Sequence, residues 1–307
     1  MKLYSLKNEK VNQIQPISFK LEKDIQNVVE NNLREIFDLE LIRSEVSVRS
    51  FRIDTLCFDP ENKCFVIIEY KKDRNFSIID QGYTYMSLIL NNKADFILEY
   101  NENNKKSLRK DDVDWSQSRV IFISPNFTEY QKHSVNFKDV PFELWEIARY
   151  DNHLIGFTQH KPTSKESISD TNSSPTSLVK SISDEVKVYS EDFHINQPKV
   201  SASTKELYQT LKERVLGLGN DIEVVPRKMY IGFKRGKNFF DVSLLKGALW
   251  CWINVKKGEL DDPKKLCRDV TKIGHYGNGD YDLSIDPDTD LDYVMFLIKQ
   301  SYKKRLK

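Results

Sequence analysis

Apolar residues recur at helical spacing between Ser18 and Phe37. Ile25, Val28, Val29, Leu33, Ile36 and Phe37 form the stripe, and Ser18 stands where an N-cap belongs. The pattern then shortens to extended runs at about 44–49, 51–58 and 64–70. The turn residues of "DPENK" (59–63) predict that the last two pair as an antiparallel hairpin. Residues 77–91, "SIIDQGYTYMSLILN", are apolar nearly all round and predict a buried helix. "DFILEY" (95–100) and "RVIFIS" (119–124) predict two further strands. Helix, three strands, helix, strand, strand describes an α/β fold, with a mixed sheet flanked by helices.

From Gln159 to about Thr204 the large apolar residues thin out. "KPTSKESISDTNSSPTS" has the Ser, Thr, Pro and charge content of a flexible linker, in which "EVKVYSEDFHI" (185–195) is expected to dock as a strand. Apolar periodicity resumes with the helix "TKELYQTLKERVLGLG" and its glycine C-cap. Strands follow around "KMYIGF", "NFFDVSLL" and "LWCWINV", then the helix "LDYVMFLIKQSYKKRL". The expected division is residues 1–157, a linker over 158–202, and a smaller α+β domain over 203–307. A chain of 307 residues has room for two such cores.

Composition narrows the setting. No apolar run approaches the roughly 20 residues that cross a bilayer, and the N-terminal stretch lacks a signal peptide's apolar segment. Cys57, Cys64, Cys251 and Cys267 form no CxxC pair, which argues against a disulfide framework or zinc site and predicts a reducing, cytoplasmic location. The net charge of +1 divides into −3 for residues 1–157, −1 for 158–202 and +5 for 203–307. The C-terminal third is therefore the part better suited to a polyanion.

Charge also interrupts the central hairpin. Residues i and i+2 of a strand share a face, so Glu69 and Lys71 project together, and Asp54 joins them if the hairpin register permits. Two carboxylates at a sheet edge suit a hard cation, Mg²⁺ or Mn²⁺, with oxygen ligands and retained waters. A lysine beside them can orient or deprotonate an attacking water and offset charge on a pentavalent phosphorane. Glu-x-Lys is equally what a strand end emerging into solvent looks like. Ten residues on, however, Gln81 and Tyr85 lie at i and i+4 on one face of the next helix.

"RID", then "IIEYK", then Gln-x-x-x-Tyr resembles the PD-(D/E)XK nuclease superfamily, in its RecB-like and NucS-like branches. The resemblance spans about residues 18–150, including the strand and helix of "RVIFISPNFTEYQKHSV" (119–135). It implies a restriction-endonuclease-like sheet and a Mg²⁺- or Mn²⁺-dependent nuclease acting on nucleic acid, DNA ahead of RNA, with a homodimer allowed. Carried over, Asp54 and Glu69 ligate the metal with the backbone carbonyl of Tyr70. Lys71 handles the water, Gln81 orients Lys71 or a phosphate, and Tyr85 packs beneath the site or touches nucleic acid. Arg52 departs from the pattern, standing where NucS-like proteins usually carry glycine. In the first helix Glu22 shares the stripe of Ile25, Val29 and Ile36 and is expected to face inward, where it either reaches the metal or its waters, as a first-helix acid does in related nucleases, or simply favours the helix dipole at the N-terminus. Glu30 lies off that stripe. Arg52, Lys72 and Arg74 flank the carboxylates as candidate phosphate contacts.

The C-terminal segment resembles a small α+β module of unknown function. "RKMYIGFKRGKNFF" (227–240) interleaves bases with aromatics, which stack on nucleotides or fill a core. "GHYGNGD" (274–280) matches no phosphate-binding loop, and its His275 reads as structural. The rival functions are a nucleic-acid-binding protein on an inactive nuclease fold and a protein-interaction adaptor.

Overall fold

The chain turns back on itself within its first fourteen residues. Leu3–Lys7 (β1) and Lys10–Ile14 (β2) pair through Asn8 and Glu9, both at positive φ. Two such residues make the tight turn that matches strand twist. Their modest hydrophobicity hides this hairpin from a periodicity reading. The computed structural model describes residues 2–72, 78–151, 153–164, 166–167, 177–273 and 277–305.

After Pro16–Ile17 (β3), the helix expected over 18–37 is two helices, Glu22–Glu30 (α1) and Leu33–Phe37 (α2). It begins at Leu21, whose N–H donates to Asp24 Oδ2 (3.0 Å), not at Ser18. It breaks at Asn31 and Asn32, where the Asn32 amide turns back to the Val28 carbonyl (2.8 Å). Asparagine competes with the helix through such local bonds.

Strands Glu40–Val48 (β4), Phe51–Asp59 (β5) and Cys64–Tyr70 (β6) follow, then helices Ile78–Asn91 (α3) and Lys93–Asn104 (α4). Arg119–Ser124 (β7), Glu129–Ser134 (α5), Phe142–Tyr150 (β8), Ile155–His160 (β9) and Ser177–Glu185 (α6) complete the first unit. The sheet runs β4-β5-β6-β7-β8-β3, with β9 also paired to β8. β4, β5 and β6 are antiparallel, whereas β6, β7 and β8 are parallel. This is the mixed α/β sheet flanked by helices that the pattern predicts.

Both sheet faces are covered, which is why Phe65–Ile68 is continuously apolar. Phe65 and Ile67 face a core built with α3, α4 and α6, while Val66, Ile68 and Tyr70 face a second core built with α1 and α2. "DFILEY" is not a strand: Phe96 and Tyr100, one helical turn apart on α4, pack beside Phe65 with ring centroids 5.6 and 6.4 Å away. Tertiary packing overrides the strand reading of this short apolar run. The Ser/Thr-rich segment is also partly structured. β9 enters it, Ile182 of α6 is buried in the α3 core, and Glu191–Ile195 is helical where a docked strand is expected over 185–195. Gly82 lies where α3 meets β8, and a Cβ there would stand 2.8 Å from the Phe142 ring. Gly82→Ala is therefore expected to destabilise the first unit by about 1–3 kcal/mol despite better helix propensity, read by denaturant midpoint.

The chain divides into Met1–Val188 and Tyr189–Lys307. The second unit holds Glu191–Ile195 (α7), Ala202–Leu216 (α8), Glu223–Pro226 (β10), Ile231–Arg235 (β11), Lys237–Leu244 (β12), Leu249–Ile253 (β13), Arg268–Asp269 (β14), Tyr281–Ile285 (β15) and Leu291–Lys304 (α9). Its antiparallel sheet, ordered β10-β11-β12-β13-β15-β14, packs on α8 and α9, a smaller α+β unit. Tyr230, Phe233, Phe239 and Phe240 are buried, which leaves none of them to stack on nucleotides. Gly217, which ends α8, has a right-handed φ of −65°. Among the described residues no helix is long and apolar enough to cross a membrane.

Candidate active site

Strand parity and the layered sheet bring the charged residues together. Glu69 follows Phe65 and Ile67 at two-residue steps and so lies on the α3 face, at the carboxyl end of parallel strand β6. On β5, Asp54 shares that face with Leu56 and Phe58, both packed in the α3 core. Carboxyl ends of parallel strands are the usual location for ligand sites in open sheets.

Glu69 is 4% exposed. Its Oε1 accepts from Lys71 Nζ at 2.6 Å and from Gln81 Nε2 at 2.7 Å. Its Oε2 is buried and accepts no hydrogen bond among the described residues. Asp54 Oδ2 accepts the Tyr70 N–H at 3.1 Å. Burial, and next the Glu69 charge, push the Asp54 carboxyl from 3.8 up to about 6. Two carboxylates held this close, with the Glu69 charge helping to raise the proton affinity of Asp54, form a pocket of negative potential suited to a cation. Among the described residues no group of three or more His, Cys, Asp or Glu side chains converges. Asp54 and Glu69 offer a hard cation two carboxylates, and an ion held there would have to draw its other ligands from main-chain oxygen and water.

Gln81 Nε2 also donates to the Tyr85 hydroxyl (3.0 Å), which donates to the Arg52 carbonyl (3.0 Å). Tyr85 is 3% exposed, so of its two expected roles the geometry allows packing and not contact with nucleic acid. The Tyr70 side chain points into the opposite core, while its backbone N–H reaches the Asp54 carboxylate. Arg52 is on the surface, but its guanidinium pairs with Glu45 (2.7 Å). Lys72 lies beside the site and forms no ion pair among the described residues, while Arg74 and His275 lie outside them.

Glu22 departs from expectation. It is exposed, and its Oε1 accepts the Lys72 N–H at 3.0 Å, bracing the chain where it leaves β6. The first α1 turn precedes the buried part of the stripe, so helical phase alone does not place Glu22 inside. Gln26 and Thr55 escape the motif reading, yet both bond around Asp54. Gln26 is signalled only by the i, i+4, i+8 row Glu22, Gln26, Glu30 on an otherwise apolar helix face.

A domain of unknown function, DUF5655, matches residues 191–305. An uncharacterized protein of Haemophilus influenzae is 45% identical over 308 residues, covering 99% of this chain and 100% of its own. Two solved structures are similar in part. The EndoMS–dsDNA2 complex shows 15% identity and a TM-score of 0.26, over 39% of this chain and 43% of that one. A repair endonuclease from Pyrococcus abyssi shows 14% identity and a TM-score of 0.24, over 44% and 60%. The match spans less than two thirds of either structure's own length.

Proposed function

The chain belongs to the family of that Haemophilus influenzae protein, and for it we propose a metal-dependent nuclease of the PD-(D/E)XK type, cleaving phosphodiester bonds in DNA ahead of RNA. One observation carries this reading. Glu69 is buried near Asp54, gripped at Oε1 by Lys71 and Gln81, and its Oε2 accepts no hydrogen bond among the described residues. A solvated strand end would bury neither the carboxylate nor its orphan oxygen, since such groups cost free energy without a ligand.

Asp54, Glu69 and the Tyr70 carbonyl would hold Mg²⁺ or Mn²⁺, which when bound supplies positive charge to the scissile phosphate and its attacking water. Lys71 stands within hydrogen-bond distance of Glu69, where its ammonium orients that water and faces charge developing on phosphate oxygen. Gln81 locks the Glu69 rotamer, and Tyr85 ties α3 to β5 so that the helix and strand halves of the site move as one. Lys72 takes the role of phosphate contact, because the guanidinium of Arg52 is committed to Glu45. The C-terminal unit, in the part of the chain with a net charge of +5, holds or selects the substrate.

The test is cleavage of single-stranded, double-stranded, branched and mismatched DNA, and of RNA, with Mg²⁺ or Mn²⁺. Wild type is expected to cut at least one of these, and Asp54→Ala and Lys71→Ala none. A wild type inert on every substrate sinks the enzyme reading. Cleavage that survives both substitutions points to another site.

A further inference from the structure

β5 and β6 stop pairing just where Asp54 and Glu69 begin. Their ladder ends at the Thr55–Ile68 pair, so the two strands fork at the candidate site. A fork leaves backbone groups without strand partners, and buried ones must find others. The Tyr70 N–H takes the Asp54 carboxylate, and the Asp54 carbonyl takes Gln26 Nε2 at 3.0 Å. Gln26 is 4% exposed and sits on α1, beneath the face opposite the carboxylates.

Gln26 is itself held on every side. Its Oε1 accepts from Lys23 Nζ (3.0 Å), and its Nε2 also donates to Glu30 Oε1 (2.9 Å). The same Glu30 oxygen accepts from Thr55 Oγ1 (2.6 Å), to which the Tyr70 hydroxyl donates (3.1 Å). These bonds close a ring from α1 through β5 to β6 and back to Asp54. Successive turns of α1 thus grip the fork at separate points: Glu22 at the Lys72 N–H, Gln26 at the Asp54 carbonyl and Glu30 at Thr55.

We propose that Gln26 is a positioning residue, holding the β5–β6 fork open so that the Asp54 carboxylate stays at metal-binding distance from Glu69. Its use in catalysis rests on the nuclease reading above; its hold on Asp54 does not. An apolar residue of similar size would fill the same space on α1 and leave the Asp54 carbonyl buried and unbonded. That strand would then shift to satisfy it.

The full-length chain tests this with Gln26→Met, with Gln26→Asn, which keeps the amide but shortens its reach, and with Val29→Ala as an equally buried α1 control. Gln26→Asn covers the case in which Gln26→Met does not fold. In metal-free protein, hydrogen exchange at the Tyr70 amide is expected to quicken at least about tenfold in both Gln26 variants relative to Val29→Ala. Mn²⁺ binding by calorimetry is expected to weaken about tenfold, the size typical of lost outer-sphere support. Cleavage should return at high Mn²⁺ with an unchanged KM for DNA. Unchanged Tyr70 exchange in both variants, or equal losses in Val29→Ala, would overturn the proposal. A wild type that binds no Mn²⁺ defeats the nuclease reading instead, and the exchange measurement still decides whether Gln26 holds Asp54.

Discussion

Lys71→Met is expected to lower cleavage by about 10³-fold while tightening Mn²⁺ binding. The two effects have opposite sign because Lys71 has two jobs. Its ammonium, 2.6 Å from Glu69 Oε1, competes with any cation for that carboxylate. Removing it leaves Glu69 more available to metal. The attacking water, however, loses its orienting group, and phosphate oxygen loses a positive charge in a site largely closed to solvent. Losses of about 10²–10⁴ are usual for such groups. Methionine keeps the buried stem, so packing survives, but the metal-free variant should be less stable because a buried carboxylate has lost its cation. Single-turnover cleavage at saturating Mn²⁺, with Mn²⁺ titration alongside, reads both signs. Weaker metal binding together with lost cleavage would indicate collapse of the site rather than loss of a catalytic group.

Asp54→Asn should stabilise the metal-free first unit at neutral pH and remove its response to metal. The folded chain holds the Asp54 carboxyl at about 6 against 3.8 for the free side chain, through burial and the Glu69 charge. Between those values the folded state binds a proton that the unfolded state has released. Stability of the metal-free protein therefore rises as pH falls from about 7 toward 4, and the ionised carboxylate works against the fold above 6. Two pKa units correspond to about 3 kcal/mol, which partial exposure reduces to about 1–2 kcal/mol. Asparagine still accepts the Tyr70 N–H without carrying charge. At pH 7.5 the variant should melt a few degrees higher than wild type, and near pH 4 the difference should vanish. Adding Mn²⁺ should raise the Tm of wild type only. A variant that is less stable at pH 7.5, or that Mn²⁺ stabilises as fully as wild type, would contradict this account of the site.

The most legible features are those fixed by local geometry. A two-residue step on a strand places Glu69 with Lys71, and a four-residue step on a helix places Gln81 with Tyr85, whatever the rest of the chain does. The apolar run of β6 similarly requires cover on both faces. Less legible are features that depend on where one element meets another. Phe96 and Tyr100 read as strand residues until the Phe65 side of the sheet gives their α4 turn something to pack on. The hairpin of β1 and β2 rests on two positive-φ residues, Asn8 and Glu9, neither of them glycine, so its turn carries only the weak signal of one asparagine.

By itself, then, the sequence determined the β5–β6 hairpin and the buried helix α3, the shared face of Glu69 and Lys71, and the helical partner row of Gln81 and Tyr85. Side-chain direction within one element is a short-range property of backbone geometry. Only the tertiary structure decided that Glu69 is buried with one oxygen unbonded among the described residues, that Arg52 pairs with Glu45, and that Gln26 rather than Glu22 lies beneath Asp54. Those outcomes depend on where β5 and β6 stop pairing and on how α1 crosses them. Distant segments settle both jointly, because each unpaired backbone group at the fork must find a bond elsewhere in the fold.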